Sequence, residues 1–223
     1  MREILVCVYA GQQLERDAMN EKFFSLPEEK RQRIINGGFS VFSQNSYQKS
    51  SMNEIAQHAQ ISKSLLFFYF RNKRELYLYL WEEACRLTVE YLNDYRCYES
   101  GELFEMMERG MNAKLDLMTK YPSIANFAIR AFFEKDPQVH DVVQTSYRAH
   151  FSQKASLVLN MVNPQDFRPG LDLAIMYRQM FLASEGYLWE MMQQGTVDCN
   201  RLRQDFAKLL EFWKTTYLKE AKP

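Results

Sequence analysis

The residues best equipped for chemistry in this chain are basic, and they are crowded into one stretch. Residues 22 to 74 hold nine bases, among them Lys22, Arg31, Arg33, Lys63 and Lys73, against the three acids Glu28, Glu29 and Glu54, a net +6. The 223-residue chain balances 28 Lys plus Arg against 28 Asp plus Glu, so the remainder carries −6. Basic character gathered in this way is the electrostatic footprint of a polyanion-binding module joined to a part that does not touch the polyanion. The count alone fits a solvated charged face equally well.

Other chemistries lack residues at the spacing they need. His58, His140 and His150 have no ligand spacing, and His140 beside Asp136 and Asp141 is a poor metal set. Cys7, Cys85, Cys97 and Cys199 are scattered without a C-x-x-C pair, so reduced thiols are expected rather than a zinc site, a disulfide framework or a redox pair. No G-x-G-x-x-G, P-loop, H-E-x-x-H or G-x-S-x-G occurs. An enzyme is therefore not expected, nor a cofactor or metal. No apolar run approaches the ~20 residues that span a bilayer. Ile4 to Ala10 is too short and too weakly flanked for a secretory signal. The expectation is a cytoplasmic protein without membrane contact.

The elements that must position the basic residues are helical. With 47% apolar residues, only 8 Gly and 6 Pro, and long tracts rich in Leu, Met, Glu, Lys and Gln, the chain reads as all-α, with about nine helices. Residues 1–24 read as an N-terminal tail, with Met19 a second candidate start. Ser25-Leu-Pro-Glu28 reads as a capping box opening a helix to about Ser43, with Ile35, Phe39 and Phe42 on one buried stripe. Ser51-Met-Asn-Glu54 opens a two-turn helix, Ser62 is placed to cap a third over Lys63–Phe70, and Asn72 a fourth from Lys73. Two short capped helices behind a longer one make a three-helix helix-turn-helix domain over 25–72. Residues 73–223 then read as a larger helical domain, with helices near 73–98, 102–120, 122–135, 137–161, 170–194 and 198–219.

Arg31 to Phe42, Ser51 to Ala56, Ile61 to Phe70 and Lys73 to Leu76 together closely resemble the DNA-binding domain of the TetR family of transcriptional regulators. The resemblance covers some 46 of 223 residues and rests on Ile55-Ala56, Ile61-Ser-Lys63 and the aromatic-Phe-x-x-Lys-x-x-Leu run from Tyr69 to Leu76. It implies that the helix starting at Lys63 enters the major groove of operator DNA, with Lys63 donating to guanine, Ser64 allowing close backbone approach and Leu65 meeting a thymine methyl. Tyr69 and Lys73 match positions that face phosphates, and Ser51, Asn53, Ser62, Phe67 and Phe68 complete the implied DNA-facing set. Asn53 reads either as an adenine contact or as an exposed helix residue. Where the family carries Gly and Tyr, this chain has Ser64 and Phe67, and Phe67 has no hydroxyl to offer a phosphate. Leu66 and Phe70 belong to the small core.

The resemblance further implies a duplex-binding homodimer, repression, and a small-molecule effector held among the middle helices. Candidate effector residues are Phe104, Met107, Met111, Phe127, Phe133, Tyr147, Phe151, Met176, Tyr177 and Met180, whose Met and aromatic content suits a lipophilic or aromatic molecule. The last two helices carry wide apolar stripes. Phe181, Leu188 and Met191 with Leu202, Phe206, Leu209 and Trp213 fit either a four-helix dimer interface or a hairpin covered by its own domain. The alternative function is a helical protein-interaction module with a degenerate DNA-binding head.

Overall fold

The computed structural model describes residues 21–194 and 197–219. The described residues form ten α-helices and no strand: α1 (Glu21–Phe24), α2 (Glu28–Gln44), α3 (Met52–His58), α4 (Lys63–Tyr69), α5 (Lys73–Asp94), α6 (Leu103–Lys120), α7 (Ile124–Phe133), α8 (His140–Met161), α9 (Leu173–Gln193) and α10 (Cys199–Tyr217). The all-α expectation holds, and α1 is the helix beyond the nine expected. The described residues divide into two compact units, one of 21–85 with Tyr121–His150, the other Arg86–Lys120 with the described residues from 151 to 219. The first takes in the expected 25–72 domain and adds the start of α5, α7 and the start of α8.

Within the first unit the α2 stripe is buried as its periodicity predicts: Ile34, Ile35, Phe39, Val41 and Phe42 are at most 3% exposed. Against it lies α7, whose fully buried Phe127 has its ring 5.1 Å from Phe39 and 5.3 Å from Tyr77. Gly37 allows a close crossing on the other side: a Cβ there would stand 2.9 Å from the Ala59 backbone nitrogen. Residues 1–20 of the expected tail lie outside the described residues, but 21–24 are not tail-like. They form a helical turn that buries Phe23 completely, 4.9 Å from Phe70 and 5.3 Å from Tyr79. Removing a Phe ring from water contributes ~1.5–3 kcal/mol toward holding this turn in place.

Three of the four expected caps form. Ser51 Oγ accepts from Glu54 N–H and Ser62 Oγ from Leu65 N–H, both at 3.1 Å, and Asn72 Oδ1 accepts from Glu75 N–H at 2.9 Å. Ser25 departs from its expected role. α2 starts one residue after Pro27, and the Ser25 hydroxyl instead donates to the Lys22 carbonyl, closing α1. α3 ends by a left-handed residue, Gln60 with φ 56°, beside which Ile61 N–H reaches the Ala56 carbonyl at 3.0 Å. That reversal is the turn of the helix-turn-helix.

The second unit is built from the later part of α5, α6, the later part of α8, α9 and α10. Leu103, Phe104, Met176, Met180, Phe206 and Trp213 anchor its core. Asp172 and Asp198 cap α9 and α10 through their carboxylates. A single antiparallel bridge, Phe167 to Leu218, fastens the segment after α8 to the end of α10.

Gly37→Ala forces Cβ against main chain that cannot retreat, so urea unfolding at fixed protein concentration should show a loss of about 1–3 kcal/mol.

Candidate functional site

α4 is seven residues long and has two unlike faces. Leu66 and Phe70 are fully buried and Tyr69 is 5% exposed, whereas Lys63, Ser64, Phe67 and Phe68 stand on the outside. These outer positions fall at i, i+1, i+4 and i+5, which is one side of a helix. Phe67 and Phe68 are 40% and 48% exposed, unusual for rings on a small head. The Lys63 ammonium sits 5.9 Å from the Phe67 ring centroid and makes no ion pair among the described residues. Ser51, Asn53 and Ser62 are also exposed, at the starts of α3 and α4, while Leu65 is half-buried.

Two of the residues implied as phosphate contacts are engaged within the protein. Tyr69 turns inward, its ring edge-on to Phe23 at 5.8 Å. Lys73 donates to three main-chain carbonyls, Tyr47 at 2.6 Å, Ser50 at 3.1 Å and Gln48 at 3.2 Å, with its ammonium 4.5 Å from the Tyr47 ring. Tyr47 is held in turn: its N–H donates to Glu134 at 2.6 Å and its hydroxyl to Gln138 at 3.1 Å. His140 belongs to the same structural web, its Nδ1 2.7 Å from the Glu134 carbonyl oxygen. In these positions Lys73 and His140 hold loops together.

The second unit contains a cavity of about 70 Å³. Of the expected effector residues, Met107, Met111 and Tyr177 line it; Phe104, Met176 and Met180 are in the adjoining core. Phe151 is near it through Phe181, ring to ring at 4.7 Å. Phe127, Phe133 and Tyr147 lie in the first unit, Phe133 being 53% exposed. Phe181 and Phe206, expected at a dimer interface, line the cavity instead.

Sequence reasoning missed the charged lining: Lys114, Lys154 and Glu185. A signal existed, since Met107, Met111 and Lys114 fall at i, i+4 and i+7 on α6, where a base continues an apolar stripe. Burial, with Lys114 next in effect, pushes the Lys154 pKa down to about 8.

The other expected dimer residues are mostly turned inward. Met191, Leu202 and Trp213 are at most 5% exposed, and Leu188 and Leu209 are half-buried. The outward apolar residues of these helices are Ile175 at 66%, Leu182 at 53%, Trp189 at 37% and Phe212 at 61%. The inward set belongs to the stripe that covers the chain's own core, and the exposed stripe follows a heptad step along α9.

Residues 34–80 match the family profile described as "Bacterial regulatory proteins, tetR family". The HTH-type transcriptional regulator RutR of Escherichia coli K12 is 21% identical over 140 residues, 63% of this chain; the match spans 65% of RutR, just under two thirds of its length. Among solved structures, a TetR family transcriptional regulator from Chloroflexus aurantiacus superposes with TM-score 0.62 at 20% identity, covering 91% of this chain and 99% of that one. The transcriptional regulator FadR from Bacillus subtilis, solved in complex with stearoyl-CoA, does so with TM-score 0.57 at 18% identity, covering 80% and 96%. These likenesses give the fold. No described helix is long and apolar enough to cross a membrane.

Lys73→Ala removes three charge-assisted hydrogen bonds from a partly exposed site. It should lower unfolding free energy by about 1–3 kcal/mol, against under about 0.5 kcal/mol for Lys63→Ala, in paired thermal and urea melts.

Proposed function

We propose that the chain, whose residues 34–80 match the tetR family of bacterial regulatory proteins, is a regulator of that family that binds palindromic operator DNA as a homodimer and is released by a small molecule held in its second unit. The observation that carries the reading is the two-faced α4. Its inner face is committed to the core, and its outer face offers an unpaired cation and apolar rings from a helix two turns long. A helix so exposed suits the major groove, where base edges offer acceptors and thymine methyl groups.

In this reading Lys63 donates to guanine O6 or N7, and Phe67 and Phe68 lie against thymine methyls or sugar edges. Ser51, Asn53, Ser62 and Ser64 meet phosphates through hydroxyl, amide and nearby backbone N–H groups. Lys73 acts at one remove by holding the 45–50 loop, and Tyr69 by packing. Dimerisation uses the exposed α9 stripe of Ile175, Leu182 and Trp189 with Phe212 of α10, which a second copy would cover. Gly186 lies on that stripe with nothing within 4 Å of the point a Cβ would occupy, leaving room for a close helix crossing.

The effector reading draws on the cavity and on α5, an unbroken helix from Lys73 to Asp94 that begins at the head and brings Leu92 to the cavity wall. A ligand that favours one setting of α5 shifts the spacing of the two heads, and two half-sites must be met at a fixed separation. Small-molecule binding in this fold has a precedent in the FadR neighbour solved with stearoyl-CoA. The exposed Phe67–Phe68 pair favours a second reading, a protein-docking head that no longer reads DNA.

Binding to DNA from the protein's own upstream region, followed over a salt series, separates the two. The regulator reading expects one fragment bound far above random DNA with a steep salt slope, and Lys63→Ala losing about 1–3 kcal/mol of that preference. Weak, fragment-independent binding would favour the docking head. Leu182→Lys should convert the dimer to monomer in light scattering and abolish tight operator binding.

A further inference from the structure

The wall of the second unit's cavity is apolar over most of its extent, yet two cations face it. Lys114 continues the Met107–Met111 stripe of α6, and Lys154 stands one turn before the buried Val158 on α8. The Lys154 ammonium has no hydrogen bond or ion pair among the described residues; its neighbour is the Phe181 ring, 5.5 Å to the centroid. A desolvated cation is costly to keep unless an anion compensates it. Glu185, also on the wall, offers one negative charge for two positive ones. The site is therefore short of one anion.

We propose that this cavity binds a monoanionic amphiphile, a carboxylate on a short apolar body, with its acid group between Lys154 and Lys114 and its body against Met107, Met111 and Phe181. A cavity of about 70 Å³ holds a handful of waters, which matches a carboxylate and the first few carbons behind it. Two ammonium donors give charge-assisted hydrogen bonds that a neutral alcohol cannot match, and they repel an amine. The thioether and ring wall supplies adaptable apolar contact. This inference rests on the effector reading of the second unit and names the ligand class for it.

Lys114, Glu185, the Cys97 thiol and the Tyr98 and Tyr177 hydroxyls share the cavity wall with Lys154, and burial first, then Lys114, brings its pKa down to about 8. The bound anion favours the protonated amine, so affinity should fall as pH rises through that value.

Calorimetry on the full chain without DNA tests the site, with octanoate, 1-octanol and octylamine as probes of matched length. Octanoate should bind at least about ten-fold more tightly than 1-octanol, and octylamine more weakly than either. Lys154→Met and Lys114→Met should each weaken octanoate about ten-fold or more while changing 1-octanol less than about two-fold, and Lys154→Arg should retain octanoate. Octanoate affinity should decline between about pH 7 and about pH 9, and Lys154→Met should remove most of that decline. Equal affinity for octanoate and 1-octanol overturns the proposal, as does a failure of octanoate to bind at millimolar concentration. Unchanged octanoate affinity in both Met variants overturns it as well. Selective octanoate binding that leaves operator affinity untouched supports this site and sinks the release mechanism, so the two readings fail separately.

Discussion

A helix of seven residues has no stability of its own, because nucleation fixes several residues for very few hydrogen bonds. α4 must therefore be held by what it buries. Leu66, Tyr69 and Phe70 are the price of its outer face, and Phe23, Tyr79 and the α2–α3 pair give them a place to go. Everything else in the first unit serves that constraint. Gly37 brings α3 against α2, Gln60 turns the chain sharply enough for α4 to start three residues later, and the Ser62 hydroxyl completes the first turn.

The loops around the head are held by polar groups rather than by apolar burial. Lys73 gathers three carbonyls of the 45–50 loop, and Tyr47 ties the same loop to Glu134 and Gln138. Arg74 adds a bond from its Nε to the Gln138 carbonyl at 2.8 Å. Each group is partnered, so none is left with an uncompensated desolvation penalty. This explains why residues 121–150 belong to the same unit as a head that sequence alone ends near residue 72. The tie is between residues about 87 to 91 positions apart, and no local pattern announces such a bond.

What was legible in the sequence was periodic or local. The α2 stripe, the Ser51, Ser62 and Asn72 caps, and the nine longer helices follow from spacing and side-chain chemistry within a few residues. Ser25 misled because a Ser three residues before Glu makes the same pattern whether it opens one helix or closes another. The division of apolar residues between cavity, core and outer surface was not legible. Phe127 and Phe181 have the same chemistry, but one is sealed beneath α2 and the other lines a cavity, and only tertiary packing tells them apart. The lysines on the cavity wall were hidden for a related reason: in composition they are two more surface charges.

α9 turns about 100° per residue, and its circumference is almost fully allotted. Tyr177, Phe181 and Glu185 face the cavity, Met176 and Met180 fill the core, and Ile175, Leu182 and Trp189 form the outward stripe. Under selection for a new ligand, α9 is thus the costliest of the cavity helices to alter, since a shift of its axis disturbs the core and the outer stripe together. Adaptation of the pocket should fall first on α6 and α8, whose lining residues Met107, Met111 and Lys154 carry no such second obligation on an exposed apolar face.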